Sequence, residues 1–413
     1  FAKAIAGLFV NNPSSVLPIN IEIVVALVIG YLIYKKKVDS FIPSLFAIIT
    51  LYVFIWLGTI YPIELPSFGF SNQETTWIVL LFIYSAIASL LPVWILLQPR
   101  DYINSHQLIV GLSLIFISIL FIQPDIKAPA VQFPDDAPPI IPFLFVTIAC
   151  GAISGFHGLV SSGTTSKQID RFEDARQIGY GGMLGESSLA IASIIASVAG
   201  ISLVTSCDIN DIHYTNLQWK DYYSSWVDVS NNKAYSFVLG SAALLEKIGL
   251  SVDVARTLIS VMVISFAATT LDTATRIQRM IITEFGKATR TKSLQNRYIA
   301  TAFGIIPALY LTVSGSGAKL WPLFGASNQM LASITLMVLT IYFLRKKKNI
   351  LPFTIPMALV MSISIFSLFT NAKKFIIQNQ YLLFTINILL IILIVWMIIE
   401  FYLFLKKINL KNE

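Results

Sequence analysis

The stretch FTINILLIILIVWMIIEFYLFL, residues 384–405, decides the fold class of this chain. It carries one charged side chain, Glu400. An α-helix needs about 20 consecutive apolar residues to cross the roughly 30 Å hydrocarbon core of a bilayer. Two similar runs, IEIVVALVIGYLIY and TTWIVLLFIYSAIASLLPVWILL, lie at residues 21–34 and 75–97. The repetition of such runs predicts an all-α polytopic membrane protein.

The composition excludes a soluble globular protein. The 413 residues are 56% hydrophobic and 12% charged, with a mean hydropathy of +0.75, whereas soluble domains are about 25% charged. The net charge of +7 could indicate nucleic acid, but the basic residues flank the apolar runs. We therefore expect membrane lipid as a partner and no nucleic acid. Cys150 and Cys207 form neither a disulfide framework nor a metal-binding pattern, so we expect no metal and no cofactor.

Apolar windows bounded by charges or by Pro and Gly predict eleven transmembrane helices. They lie near residues 16–34, 41–60, 76–97, 107–123, 140–162, 180–206, 254–275, 298–314, 322–344, 351–370 and 382–405. When the connecting segments alternate between sides, most of the 29 Lys and Arg residues, Arg100 among them, fall on one side. The positive-inside rule assigns that side to the cytoplasm, so Phe1 is predicted outside and Glu413 inside.

Two connecting segments are predicted to have their own structure. Residues 207–250 form an outer-face loop that ends in the run SFVLGSAALLEKIGL at 236–250. This run is too short for a span and predicts a re-entrant or interfacial helix. Residues 276–297 place Ile277, Ile281 and Phe285 on one helical face opposite basic side chains, which predicts a cytoplasmic amphipathic loop that forms an interfacial helix.

The segment GFHGLVSSGTTSKQ, residues 155–168, is too polar for the end of an ordinary span. Glycine lowers helix propensity, and Ser and Thr side chains compete for backbone hydrogen bonds, so we expect the helix to break here. Broken helices hold solutes in many secondary transporters, and a packing seam of small residues is the alternative. The candidates for a solute or ion path are His157, Ser161, Ser162, Thr164 and Thr165, with Gly155 and Gly163 as structural or gating positions.

Glu186 and Asp272 lie within predicted spans, where an ionisable side chain costs at least about 2.5–3.5 kcal/mol. Glu186 follows Gly181 and Gly185, whose spacing allows close helix contact, and it is a candidate to carry a proton or to pair with a cation. Asp272 lies one helical turn before Arg276. That spacing indicates a surface salt bridge or, for the deeper Asp272, a place in the solute path.

The segment GSGAKLWPLFGASNQMLASITLM begins at residue 315 and interrupts the entrance to another predicted span. Trp321 and Pro322 are candidate structural or gating residues, and Asn328 and Gln329 are candidates to line the path. Neutral amides also hold helices together, which is the alternative for this pair. Glu22, in the first predicted span, is a lone carboxylate to which the sequence assigns no role.

Four sequence blocks together resemble the carbon starvation protein A family of bacterial inner-membrane transporters. They are SGFHGLVSSGTTSKQI, IGYGGMLGESSLAI, TLDTATRIQRM and LWPLFGASNQMLASITL, at residues 154–169, 178–191, 270–280 and 320–336. The resemblance implies uptake of peptides, or of pyruvate in some relatives, across the cytoplasmic membrane during nutrient limitation. It also implies a fold akin to the amino acid–polyamine–cation (LeuT-like) transporters, with paired inverted repeats.

The chain departs from the family pattern at three points. Family members carry a Gly- and His-rich segment similar to GHHFAAIAGAGP, and no part of this chain matches it. The chain also lacks an initial Met. For both reasons we expect a fragment of a longer protein. Ser166 stands where proline is common, and Gly185 replaces a bulkier residue. Both changes are expected to alter local packing.

The leading hypothesis is a secondary active transporter, a single membrane domain over residues 1–413, that takes up small peptides with a proton or sodium gradient. Proton-coupled symport of pyruvate is the alternative. No Walker lysine motif is present, and we expect no enzymatic activity.

An intramembrane hydrolase using His157 with Ser161 or Ser162 is a distant alternative, because the GxSxG and HExxH motifs are absent. A sensor or scaffold is a third, against which the short inner loops argue.

Overall fold

Helices dominate the computed structural model, which describes residues 1–39, 41–133, 135–137, 140–209, 212–226 and 233–412. The chain divides into two compact units. Unit 1 contains Phe1–Ala137 and Arg171–Val313, and unit 2 contains Pro138–Asp170 and Ser314–Glu413. Each unit is therefore built from two separate stretches of the chain.

In chain order, the α-helices of the described residues are α1 (Ala2–Asn11), α2 (Val16–Gly30), α3 (Phe41–Ile60), α4 (Gln73–Leu90), α5 (Leu97–Ile122), α6 (Phe145–Ala152), α7 (Gly155–Gly163), α8 (Asp174–Val198), α9 (Trp219–Tyr222), α10 (Lys233–Lys247), α11 (Val252–Ala288), α12 (Lys292–Gln295), α13 (Arg297–Val313), α14 (Trp321–Arg345), α15 (Leu351–Ile377) and α16 (Tyr381–Asn412). Two strands, β1 (Ser206–Ile209) and β2 (Ile212–Thr215), lie between α8 and α9. A π-helical turn, Tyr31–Lys35, extends α2, and another, Ile140–Leu144, precedes α6.

Local sequence signals set several helix ends. The Asn72 side chain caps α4 by accepting a hydrogen bond from the Thr75 N–H at 2.8 Å, which satisfies one free donor of the first turn. Pro322 and Pro352 lie in the first turns of α14 and α15, where a missing N–H costs little. Gln123 adopts a left-handed conformation, with a φ of 47°, at the end of α5.

Nine helices of the described residues are long and apolar enough to cross a membrane. They coincide with nine of the eleven predicted spans, so the prediction of a helical polytopic membrane protein is confirmed. The other two predicted spans differ from a single long helix. Residues 140–162 are divided between two short helices, and residues 298–314 form α13, which has 17 residues. Helix length therefore supports nine spans and does not establish eleven.

A helix break lies just before the polar segment in unit 2, whereas the segment itself is helical from Gly155 to Gly163. Residues 153–154 separate α6 from α7, and Ser154 has an extended backbone with φ −93° and ψ 128°. A Cβ atom on Gly155 would lie 2.6 Å from the Leu331 Cβ and 2.7 Å from the Ala332 nitrogen of α14. Glycine is therefore required where α7 meets α14 at this close distance. The helix is thus interrupted near the polar segment, but at residues 153–154 and not within 155–168 as predicted.

Helix α11 lies at the centre of unit 1, with most of its residues from 255 to 277 buried. It packs against α1, α4, α5, α10 and α13. Helix α10 covers most of the short apolar run 236–250, and Leu244 and Leu245 have no exposed surface. A helix is therefore confirmed in this run, and it packs inside unit 1. Its place relative to the bilayer stays a prediction.

A short two-stranded sheet is an addition to the helical fold that the sequence did not predict. Strands β1 and β2 are antiparallel, with Ser206 opposite Thr215 and Cys207 opposite Tyr214. Arg256 of α11 donates a hydrogen bond to the Ser206 carbonyl, which fixes the hairpin against the central helix. The strands are short and mostly polar, so they carry no clear alternation of apolar and polar residues. For that reason the sequence pattern did not reveal them.

The predicted amphipathic segment 276–297 begins as a continuation of α11, and its cytoplasmic placement stays a prediction. Helix α11 continues to Ala288, and only α12 with its flanking turns precedes α13. Arg276 is 8% exposed and Ile277 6%, whereas Phe285 is 60% exposed, so the segment begins in the protein interior and reaches the surface further along the helix, and an arginine lies in its buried part. The physical reason is that Arg276 donates to a backbone carbonyl of α4, which satisfies its charge inside the protein.

Unit 2 is built on α14, α15 and α16. Ala326 and Met330 of α14 pack in one apolar cluster with Leu368 of α15 and Ile394 of α16. The Asn387 amide of α16 donates a hydrogen bond to the Leu368 carbonyl at 2.8 Å. Apolar packing and a buried amide therefore hold these three helices together.

Candidate functional site

Four helices of unit 1 bring ionisable side chains to one buried place. Helix α2 supplies Glu22, α4 supplies Tyr84, α5 supplies Arg100, and α11 supplies Asp272. Glu22 is 1% exposed, Arg100 0% and Asp272 3%. We call these four residues the ionic network. The prediction that Arg100 lies in a cytoplasmic loop is wrong, because the first turn of α5 carries it into the protein interior.

Arg100 is the centre of the ionic network. Its Nε donates to Glu22 Oε1 at 3.0 Å, and its Nη1 donates to the Tyr84 hydroxyl at 2.6 Å. The same Nη1 lies 3.4 Å from Asp272 Oδ2. The Tyr84 hydroxyl in turn donates to Asp272 Oδ2 at 2.8 Å. One guanidinium therefore pairs with two carboxylates on different helices, and the tyrosine links two members of the network.

Glu22 accepts hydrogen bonds at both of its carboxylate oxygens. Ser265 of α11 donates to Oε2, and the Gln107 amide of α5 lies 3.4 Å from the same atom. With its amide oriented to suit the surrounding groups, Asn104 donates to Glu22 Oε1 at 3.0 Å and accepts from Thr269 at 2.9 Å. The carboxylate of Glu22 is thus fixed in place by α5 and α11 together.

Two buried atoms of the ionic network are left over. Among the described residues, neither Arg100 Nη2 nor Asp272 Oδ1 has a hydrogen-bond partner. An unmet buried polar group costs about 1–3 kcal/mol, and more if it is charged. Buried ion pairs are also poor stabilisers compared with well-packed apolar side chains. The arrangement is therefore better explained by a function than by stability.

Arg276 does not form the predicted salt bridge with Asp272. Its Nη2 donates to the Ala88 carbonyl at 3.1 Å, and Arg279 Nη1 donates to the Ser89 carbonyl at 2.6 Å. Both acceptors lie in the last turn of α4, where carbonyls lack partners within the helix and the dipole favours positive charge. The two arginines of α11 thus cap the end of α4, beside the network.

Asn328 joins the two elements of the polar site in unit 2. Its Oδ1 accepts from the Phe156 N–H at 2.9 Å, and its Nδ2 donates to the Ser154 hydroxyl at 3.2 Å. The side chain thus satisfies a free N–H in the first turn of α7. Gln329 is fully buried, and within the described chain neither atom of its amide has a partner. Thr164 is 8% exposed, and its hydroxyl likewise lacks a partner there.

The other candidates on α7 lie at the surface of unit 2. His157, Ser161 and Ser162 are exposed, and Thr165 is half-buried in a turn after Gly163, the last residue of the helix. Ser161 donates to the Gly158 carbonyl at 3.0 Å, and Ser162 donates to the Leu159 carbonyl at 3.2 Å. Within the described contacts, His157 forms no hydrogen bond with either serine. The geometry gives the hydrolase alternative no activated nucleophile.

The remaining candidates lie apart from the ionic network. Glu186 is exposed on α8, and no atom comes within 4 Å of a Cβ built on Gly181 or Gly185 in the described chain. The predicted close helix contact is therefore not formed there. Trp321 is 57% exposed, and its ring stacks obliquely on a neighbouring phenylalanine of α14. Pro322 begins α14 and does not break it.

Sequence reasoning found Asp272 but missed most of its partners. Arg100 follows a proline at the edge of an apolar window, and Tyr84 is an ordinary residue for a span. Glu22 was identified as a carboxylate in a predicted span, but the sequence assigned no role to it. The sequence did contain one signal for Arg100, because two carboxylates in predicted spans require a nearby cation. The described residues contain no group of three or more His, Cys, Asp and Glu side chains that could hold a metal ion.

Comparisons with known proteins agree with the sequence resemblance. A family model described as carbon starvation protein CstA matches residues 1–367. The peptide transporter CstA of Helicobacter pylori is 28% identical, over 89% of this chain and 60% of its own length. The peptide transporter CstA of Escherichia coli is 30% identical, over 70% of this chain and 48% of its own length.

A relative with a different name also matches. The pyruvate/proton symporter BtsT of Escherichia coli is 32% identical, over 74% of this chain and 52% of its own length. The chain thus spans about half to three fifths of the length of these relatives. No solved structure matches the chain. Because the family model covers most of the sequence, the chain belongs to the carbon starvation protein CstA family.

Proposed function

We propose that this chain forms part of a secondary active transporter that takes up small peptides across the bacterial cytoplasmic membrane during carbon starvation. The names of several relatives and of the family support this substrate and setting. The candidate membrane helices support a multi-pass membrane protein. An ion gradient supplies the driving force in this proposal.

The observation that carries the proposal is the ionic network of Glu22, Tyr84, Arg100 and Asp272. A membrane protein gains little stability from buried charges, and such groups in spans mark the paths of solutes, ions and protons. The unpaired Nη2 of Arg100 and Oδ1 of Asp272 add to this argument, because a purely structural network would satisfy them.

Proton-coupled symport of pyruvate is the second candidate function. It is favoured by the pyruvate/proton symporter from Escherichia coli, which is the more identical of the two relatives from that organism described above. Both substrates carry a carboxylate, so a cationic group such as Arg100 suits either. A transport assay with both classes of substrate separates the two proposals.

The proposed architecture has eleven crossings and paired inverted repeats akin to the LeuT-like transporters. The broken helix α6–α7 supports it, because discontinuous helices are typical of such folds. Helix α13 has 17 residues, which is within the range of tilted or short spans. In this topology Phe1 faces outward, Glu413 faces the cytoplasm, and α10 is a re-entrant helix.

The solute path is proposed to include the polar groups on α7 and α14 and the carboxylate on α8. Asn328, Gln329 and Thr164 support this role because they place amide and hydroxyl groups inside a membrane protein, two of them with unsatisfied atoms. His157, Ser161, Ser162 and Glu186 are exposed within their own units and Thr165 is half-buried, which leaves their polar groups accessible to a solute.

The test is uptake by the purified protein in proteoliposomes. Radiolabelled dialanine and radiolabelled pyruvate are each offered with an inward proton gradient, an inward sodium gradient or no gradient. We expect accumulation of dialanine, with unlabelled tripeptide as a stronger competitor than pyruvate. Accumulation of pyruvate alone would support the second candidate, and accumulation of neither probe would contradict both.

A further inference from the structure

We propose that Asp272 is the residue that accepts and releases the coupling proton, with Tyr84 and Arg100 as the groups that sense its charge. The proposal deepens the proposed function and rests on its ion-driven transport. In the step itself, an O–H bond forms at Asp272 Oδ1 with a proton from the side of higher proton activity. The same bond breaks when the proton leaves to the other side.

The hydrogen bonds of the two carboxylates single out Asp272. Both oxygens of Glu22 accept hydrogen bonds, so a proton on Glu22 would displace a donor or the Arg100 ion pair. Asp272 Oδ2 accepts from Tyr84 and Arg100, but Oδ1 accepts from no described residue. A proton can therefore bind Oδ1 without breaking any bond in the network.

The balance of charge changes with that proton. The ionised Glu22 and Asp272 share one guanidinium, which leaves a net charge of −1 among the three, and a proton on Asp272 removes it. The other charged groups nearby are Arg276, which is directed to the Ala88 carbonyl, and Asp101, which is exposed on α5. Removing a buried net charge is favourable, so the two states of Asp272 differ in free energy.

The size of the site favours a proton over a solute. The unpaired atoms of Arg100 and Asp272 are buried, and the side chains of Glu22 and Arg100 have no exposed surface. A surface groove of about 460 Å³ in unit 1 lies elsewhere, between Ile109 of α5 and Gly185 of α8. A proton enters such a packed site through one or two transient waters, whereas a peptide would require the helices to separate.

Protonation also changes how the helices are held. The link from Arg100 to Glu22 joins α5 to α2 in both states, because neither group changes charge. The link from Arg100 to Asp272 joins α5 to α11 and is weakened when Asp272 is neutral. The proton therefore loosens the contact of the central helix α11 with α5 and leaves the contact of α5 with α2 intact.

The first test compares Asp272→Asn with the wild type in the proteoliposome assay. With one proton per solute, an inward gradient of one pH unit drives accumulation of up to about tenfold. We expect the variant to lose this accumulation and to equilibrate its substrate, while exchange of labelled for unlabelled substrate at equal pH is retained. Proton-driven accumulation by Asp272→Asn would overturn the proposal, and so would the loss of exchange in a variant with wild-type unfolding behaviour.

The matched control is Glu284→Gln on the same helix. Glu284 forms an exposed ion pair with Lys287 at 2.7 Å, with side chains 68% and 62% exposed, and lies outside the network. We expect its accumulation ratio to equal that of the wild type. A loss as large as that of Asp272→Asn would show that any lost carboxylate on α11 has this effect, which also contradicts the proposal.

The second test requires no transport. Infrared difference spectra recorded across a pH titration of the purified protein should show a protonated carboxyl band that Asp272→Asn removes. Tyr84→Phe deletes a hydrogen bond to the ionised carboxylate, so the band should persist to higher pH. A band that is unchanged in both variants would overturn the assignment of Asp272. If neither substrate is transported but the band behaves as expected, the proposed function fails and the proton site stands.

Discussion

Arg100 shows how a single residue is kept charged inside an apolar protein. Its guanidinium has three separate contacts, with Glu22, Tyr84 and Asp272, and these belong to three helices other than its own. Removing one partner from a buried charge cluster leaves the others uncompensated, which costs more than the intact cluster contributes. Arg100 therefore links α5 to α2, α4 and α11 through buried polar contacts.

We expect Arg100→Ala to lower the free energy of unfolding by about 3–5 kcal/mol, because Glu22 and Asp272 are then buried without a cation. The measurement is the midpoint of SDS-driven unfolding in mixed micelles. Glu22→Gln combined with Arg100→Met removes charges of both signs and should recover a large part of the loss. A double variant as unstable as Arg100→Ala would show that the two effects are independent.

The control for this measurement is Lys127→Ala. Lys127 pairs with Asp125 at 3.2 Å, and the side chains are 55% and 82% exposed. Exposed pairs of this kind contribute about 1 kcal/mol or less. We expect a change within that range, and an effect similar to that of Arg100→Ala would mean that the assay reports net charge instead of burial.

At the scale of elements, the contact of α7 with α14 depends on small residues and one amide. Gly155 lets the helices approach, and Asn328 accepts from the Phe156 N–H that begins α7. A residue of α14, outside the broken segment, therefore holds the start of α7 in place after the break. The Gly, Ser and Thr content predicted a break within residues 155–168, a few residues after the observed one, and the partner Asn328 lies 172 positions from Phe156.

We expect Gly155→Ala to destabilise unit 2 by about 1–3 kcal/mol. The new Cβ would lie 2.7 Å from the Ala332 nitrogen, which is backbone and cannot rotate away, so the helices must separate. Gly151→Ala in α6 is the matched control, because no atom lies within 4 Å of its Cβ and alanine is the better helix former. Proteolysis of the α6–α7 segment measures the effect, and equal protection of both variants would contradict it.

At the scale of the molecule, the parts predicted correctly are those that depend on local composition. Apolar runs gave nine spans, and Asp272 was singled out because a carboxylate is costly in such a run. Arg100 was missed because it lies 172 positions from Asp272, and the positive-inside rule places an arginine at a span end in a loop. Contacts between distant positions depend on packing, which hydropathy does not encode.

The number of crossings is the remaining question at this scale, and Lys167 tests it. With eleven crossings, the segment 140–162 crosses the membrane, so Lys127 before it is outside and Lys167 after it is cytoplasmic. Single cysteines are placed at these positions in a protein with Cys150→Ser and Cys207→Ser, and an impermeant thiol reagent is added to right-side-out vesicles. We expect Lys127→Cys to react at once and Lys167→Cys only after permeabilisation. Reaction of both from one side would mean that α6 and α7 enter and leave the membrane on the same face, as a re-entrant pair.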